Sequence, residues 1–184
     1  MIEVEAKIKI SSPESFRRNI KKLAKFIGKE KKTDYYYTLE SLKNYPQKSL
    51  RIRKRKNVYE INFKQRLSYV KGIHAKNEHE FKVKDITPFL DLIKEFGFKQ
   101  WLIKNKISEV YKINNNFHIE INLVKHLGWF IEIEYLTDKN GISNARDKIL
   151  HIIDKLSISK ENILLNIRRL LAGLRQGAMT LWAG

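Results

Sequence analysis

Charged residues in this chain recur at two-residue spacing, with apolar residues between them. Glu3, Glu5 and Lys7 alternate with Ile2, Val4, Ala6 and Ile8, and Arg51, Arg53 and Arg55 follow Leu50 and Ile52 in the same way. Glu60, Asn62 and Lys64 form a third group, Glu78, Glu80 and Lys82 a fourth, His118, Glu120 and Asn122 a fifth, and Glu132 with Glu134 a sixth. That spacing puts each group on one face of a β-strand. Clustered carboxylates suit a hard divalent cation, and clustered Arg and Lys suit phosphate oxygens. A metal triphosphate would satisfy both sets together. For any one strand the simpler explanation is a solvated sheet face. Six strands sorted by sign point instead to a barrel with this polar face inside, an interior too costly to build unless something compensates it.

The elements that would hold these faces are legible as a β-α-β-β-β-β-α-β-β-β-α-α order. Ile2 to Ile10 alternates strictly and reads as a strand. Ser12-Pro13-Glu14 opens a helix carrying Phe16, Ile20, Leu23 and Ile27, with Gly28 as its C-terminal cap. Strands follow at 33–39, 49–56, 59–65 and 78–84. Thr87-Pro88 starts a second helix bearing Leu90, Ile93 and Phe96, closed by Gly97. Strands resume at 107–113, 117–123 and 129–136, with Asn114-Asn115-Asn116 as a hairpin signal. Ser143 caps a helix through Ala145, Ile149, Ile152 and Leu156, and Ser159 another through Ile163, Leu164, Ile167 and Leu171.

The chain has 184 residues, with 37 Lys+Arg against 20 Asp+Glu, a formal net charge of +17. One domain suits this length, and 42% hydrophobic residues suffice for a packed core. The charge excess calls for a polyanionic partner: nucleic acid, a membrane surface or a phosphate-rich small molecule. No cysteine is present, which excludes disulfides, Cys-ligated zinc, iron–sulfur clusters and thiol nucleophiles. There is no Gly-rich phosphate loop and no G-x-S-x-G elbow. The five histidines lack metal-ligand spacing. The N-terminus does not read as a signal peptide and no apolar run is long enough to span a bilayer, so the expectation is a soluble cytoplasmic protein.

Taken in order, the motifs resemble those of the CYTH family, the triphosphate tunnel metalloenzymes that include class IV adenylate cyclases, thiamine triphosphatases and inorganic triphosphatases. Glu3-Val4-Glu5-Ala6-Lys7 matches the family's E-x-E-x-K opening, Asp34-Tyr35-Tyr36-Tyr37 its second strand, and Leu50-Arg51-Ile52-Arg53 its Leu-Arg-Ile-Arg strand. Phe63-Lys64-Gln65, Lys76-Asn77-Glu78-His79-Glu80 and Leu127-Gly128-Trp129-Phe130-Ile131-Glu132-Ile133-Glu134 continue the series. The resemblance implies an α+β fold, a closed antiparallel β-barrel of about eight strands with helices outside, spanning residues 1–171 as one domain. Residues 172–184 form a tail with no assigned role. It implies Mg²⁺ or Mn²⁺ held by Glu3, Glu5, Glu132 and Glu134, and a triphosphate gripped by Lys7, Arg51, Arg53 and Lys64. Lys76 joins the substrate groups, and Glu78 and Glu80 face the tunnel behind the ligands or around a second cation.

Two positions depart from the family pattern. Asn122 stands where an Asp is usual, its amide oxygen still able to coordinate a metal without adding charge, and Ser108 stands where an Arg is usual. Lys106, two residues earlier on the same face, partly replaces that cation. The expected activity is metal-dependent phosphoanhydride hydrolysis of a nucleoside, thiamine or inorganic triphosphate. Cyclisation of ATP to cyclic AMP and pyrophosphate is the alternative from the same site. A binding module without catalysis, motivated by Asn122 and Ser108, and an RNA-binding protein using the Lys-rich first helix are the readings from other classes. The expected partner is a small triphosphate, with no membrane; nucleic acid is less favoured, and a homodimer would resemble the cyclase members.

Overall fold

The alternation of Ile2–Ile10 becomes the strand β1 (Ile2–Ile10), whose apolar residues are all buried on one side while Glu3 and Glu5 are buried on the other. The computed structural model describes residues 1–43, 46–159 and 163. After β1 come α1 (Glu14–Leu23), β2 (Lys25–Thr38), β3 (Lys48–Arg55), β4 (Val58–Val70) and β5 (Ile73–Val83). Then follow α2 (Thr87–Glu95), β6 (Lys99–Asn114), β7 (Phe117–Val124), β8 (Gly128–Thr137) and α3 (Ile142–Lys155). The eight strands close into a barrel in the order β1-β5-β4-β3-β2-β6-β7-β8, every neighbouring pair antiparallel. The expected fold class is therefore observed. A barrel of this strand number has an interior just wide enough for side chains or one small ligand.

Apolar faces turn outward and are covered by helices. Ile8, Ile119, Ile121, Ile131 and Ile133, all fully buried, pack with Ala145, Ile149 and Ile153 of α3 and Ile20 of α1. Each fully buried Ile contributes roughly 1.5–3 kcal/mol, so this layer anchors the barrel wall. A second layer joins Leu50, Ile52 and Ile61 to Ile93 of α2. Register then fixes what meets inside, because directly opposed residues project to the same side. Glu5 stands opposite Glu134 and Lys7 opposite Glu132, while Glu3 faces Lys76 and Asp34 faces Arg53.

Several boundaries differ from the sequence reading. The first helix ends at Leu23, not at Gly28, and Ala24 is already extended at φ −145°, ψ 144°. Lys25 to Thr38 pairs along β6, and the Phe26 ring lies 5.2 Å from that of Tyr111, so long-range ladder contacts override the local helical spacing. Gly28 sits instead beside a register shift in β2. Strands β4, β5 and β6 run well beyond their expected limits. Lys71-Gly72 closes the β4–β5 hairpin with positive φ at both positions, 50° and 83°. A Cβ on Gly72 would collide with the Ile163 side chain, so the position requires glycine twice over. Helix α3 starts after Gly141 with no side-chain cap, rather than at Ser143. The second C-terminal helix and the tail at 172–184 lie outside the described residues, apart from buried Ile163. No described helix is long and apolar enough to cross a membrane.

Candidate active site inside the barrel

Three carboxylates meet at one side of the interior. Glu3 and Glu5 come from β1 and Glu134 from β8, and one oxygen of each lies within 4.8 Å of the others. Burial pushes the Glu134 carboxyl well above its usual range, helped by the neighbouring Glu3, and it has no ion-pair partner among the described residues. Burial raises Glu3 as well, opposed by Lys64. At Glu5 burial is outweighed by Lys7 and Lys76, which hold its carboxyl well below the ordinary range. Three ammonium groups reach the cluster, Lys7 Nζ lying 3.4 Å from Glu5 Oε1. Lys76 Nζ is 2.5 Å from Glu5 Oε1 and 3.3 Å from Glu3 Oε1, and Lys64 Nζ is 3.1 Å from Glu3 Oε2 and also contacts Glu78. Three buried hard oxygen donors, one of them unpaired, fit a hard divalent cation.

A cavity of about 200 Å³ adjoins this cluster. Lys7, Arg51, Arg53 and Lys106, all expected at the site, line it, and so do Lys64, Lys76, Glu132 and Glu134. Arg51 is loosely held: its Nη2 is 3.7 Å from Glu80 and its buried Nε has no hydrogen-bond partner. Arg53 is fixed, donating through Nε and, at 2.8 Å, through Nη2 to fully buried Asp34. Asp34 stays far below the usual carboxylate range: burial opposes ionisation, but the Arg53 hydrogen bond and Lys104 prevail. Part of the cavity wall is apolar, formed by Leu102, Val124, Leu127 and Phe130.

Other expected residues are not part of the acidic trio. Glu132 does not join the acidic trio but bridges Lys7 Nζ at 3.1 Å and Lys106 Nζ at 3.3 Å. Glu78 and Glu80 are held by Asn62 Nδ2, at 2.9 and 3.2 Å, behind Lys64 and Arg51. Asn122 is fully buried, outside the cavity lining, and its Oδ1 accepts from Ser108 Oγ. Ser108 and Asn122 are register partners on β6 and β7, so the two departures from the family pattern form one neutral hydrogen-bonded pair. The Asn122 Nδ2 has no partner.

Sequence reasoning missed His74, Arg66 and Lys104, which line the cavity, and the role of Lys32. All of them continue alternations already noted: Arg66 follows Lys64 by two, His74 precedes Lys76 by two, and Lys104 precedes Lys106 by two. Lys32 Nζ donates to Glu120 at 2.7 Å, and Lys106 Nζ contacts the other Glu120 oxygen at 3.0 Å. These two cations outweigh burial and bring the Glu120 carboxyl down to about 2. His74 is pushed down to about 4 by burial and by Lys76, so its imidazole is neutral at physiological pH.

The sequence profile of the CYTH domain matches residues 1–165. The chain belongs to the CYTH-domain family. A candidate adenylate cyclase of Methanocaldococcus jannaschii is 31% identical over 167 residues, covering 89% of this chain and 94% of that protein. Among solved structures, the PH1012 protein of Pyrococcus horikoshii superposes with a TM-score of 0.73 at 31% identity, covering 87% of this chain and 93% of the other. A Hippeastrum protein described as a candidate adenylyl cyclase with dominant triphosphatase activity shares the fold, with a TM-score of 0.58 at 16% identity over 85% of this chain and 88% of that one. The closed barrel is thus that of a CYTH domain.

Proposed function

We propose that this CYTH-domain protein is a metal-dependent enzyme acting on a triphosphate-bearing molecule by phosphoanhydride hydrolysis. The observation that carries the reading is the juxtaposition in one cavity of a buried carboxylate trio and a wall of ammonium and guanidinium groups. Glu3, Glu5 and Glu134 would hold Mg²⁺ or Mn²⁺. When bound, the cation would act as a Lewis acid that draws charge from the reacting phosphorus. Arg51, with donors to spare, is suited to the equatorial oxygens, and Lys7 and Lys106 add charge along the same wall. Arg53, oriented by Asp34, lines the cavity at fixed geometry with N–H donors beyond those given to Asp34. The barrel wall keeps bulk water away, which strengthens each of these interactions.

A second reading, cyclisation of ATP with loss of pyrophosphate, draws on the name of the M. jannaschii relative. Both are tested by one Mg²⁺/Mn²⁺-dependent panel across ATP, thiamine triphosphate and inorganic tripolyphosphate that resolves phosphate, pyrophosphate and cyclic AMP. Phosphate release supports hydrolysis and ranks the substrates. Cyclic AMP with pyrophosphate replaces hydrolysis by cyclisation. No turnover with metal-dependent triphosphate binding intact overturns both in favour of a binding module.

A further inference from the structure

Lys76 occupies the place that a cation would need. Its ammonium contacts Glu5 at 2.5 Å and Glu3 at 3.3 Å, and these are two of the three carboxylates that converge. Glu3 and Glu5 are only 5% and 6% exposed, so water does little to separate their charges. Among the described residues Lys64 reaches Glu3 and Lys7 reaches Glu5, while Lys76 bridges the two and puts its positive charge between them. A divalent cation taking the same oxygens must displace that ammonium. Lys76 stands opposite Glu3 on one side and Arg66 on the other, both facing the interior, so its flexible stem is confined to the cavity when it leaves. There it would add to the positive charge of Lys7 and Arg51 until an anion arrives.

We infer that Lys76 is an exchange residue: in the empty barrel it stands in for the metal between Glu3 and Glu5, and on loading it turns to the phosphate oxygens. The inference rests on reading the cavity as a metal–triphosphate site. Its consequence is that metal alone binds weakly, because every metal ion must evict a paired ammonium into a cationic cavity. Triphosphate removes that penalty by receiving the ammonium. Coupling of this kind is reciprocal, each ligand tightening the other by about 10-fold or more. Lys64 is not equivalent, because Glu78 remains as its partner when Glu3 is taken.

The test is Mn²⁺ binding followed by electron paramagnetic resonance, with and without a methylene-bridged tripolyphosphate that cannot be hydrolysed. Lys76→Met is expected to bind Mn²⁺ alone about 10-fold more tightly than the native protein and to gain much less from the analogue. Lys104→Met, which removes a cavity charge not paired with the acidic trio, is expected to leave Mn²⁺ affinity within about 2-fold. Lys76→Gln, with thermal unfolding as a check on folding, gives a second reading if the Met variant misfolds. Unchanged or weaker Mn²⁺ binding by the Lys76 variants overturns the exchange role alone. Equal tightening by Lys104→Met also overturns it, since mere loss of positive charge would then suffice. Absence of Mn²⁺ binding by the native protein even with the analogue overturns the metal–triphosphate reading and this inference with it.

Discussion

The two sides of the barrel interior are built from the same residue types but balanced differently. Across β2, β3, β6 and β7 each of these charges has a partner: Arg53 has Asp34, and Lys32 and Lys106 share Glu120. Around β1, β5 and β8 the carboxylates are served unequally: Glu134 lacks a cationic partner among the described residues, while Lys76 bridges Glu3 and Glu5, which Lys64 and Lys7 also reach. The matched side behaves as structure, since its ion pairs satisfy one another in place. The unmatched side is where a ligand lowers the free energy most. An unbalanced charge, more than charge density, marks the candidate site.

The sharpest way to break this comparison is to act on each side separately. Glu5→Gln on the unmatched side is expected to lower metal-dependent turnover by about 10³-fold while urea unfolding shifts less, because Lys76 keeps Glu3 and Lys7 keeps Glu132 as anionic partners. Steady-state phosphate release compared with the unfolding midpoint checks both halves of that statement. Asp34→Asn on the matched side is expected to cost about 3 kcal/mol of stability, since Arg53 is left buried with a neutral partner; urea unfolding reads it. Asn122→Asp alone is expected to cost about 2 kcal/mol, because it buries a carboxylate beside Ser108. Adding Ser108→Arg should recover most of that loss, and a double-mutant cycle without coupling would show that the two positions act independently.

The smallest effect concerns acid. The folded-state value for Glu120 is about 2, below its ordinary value of 4.5, so the unfolded chain takes up this proton first as pH falls. The stabilisation is therefore fully present above about pH 4.5 and is lost as pH falls toward 2, an amount on the order of 2 kcal/mol. Glu120→Gln should flatten the stability profile in that window and lower stability at neutral pH. Urea titrations from pH 5 to 2.5 check the slope.

Much of this arrangement was legible because strand periodicity is local. Glu3, Glu5 and Lys7 declare their shared face in seven residues, and β7 and β8 do the same. What stayed hidden was set by pairing across the sheet. Nothing near Ser108 in the chain announces that it meets Asn122, and only the β6–β7 register turns two apparent losses into one neutral pair. The start of β2 failed for a related reason, its local helical spacing being overruled by a ladder with β6 some eighty residues away. Likewise the acidic groups share one residue type, yet Glu134 and Glu132 part company because only the latter falls between Lys7 and Lys106.

Closure of the sheet governs traffic as well as shape. With every strand paired on both edges, the described sheet has no free edge beside the carboxylates. Under the proposed function a triphosphate would reach them end-on, travelling along the barrel axis past successive cations, and its products would leave along the same line. Any group attached to the phosphates would then trail through an opening, so tolerance for different attachments would be set at the rim and the chemistry deep inside.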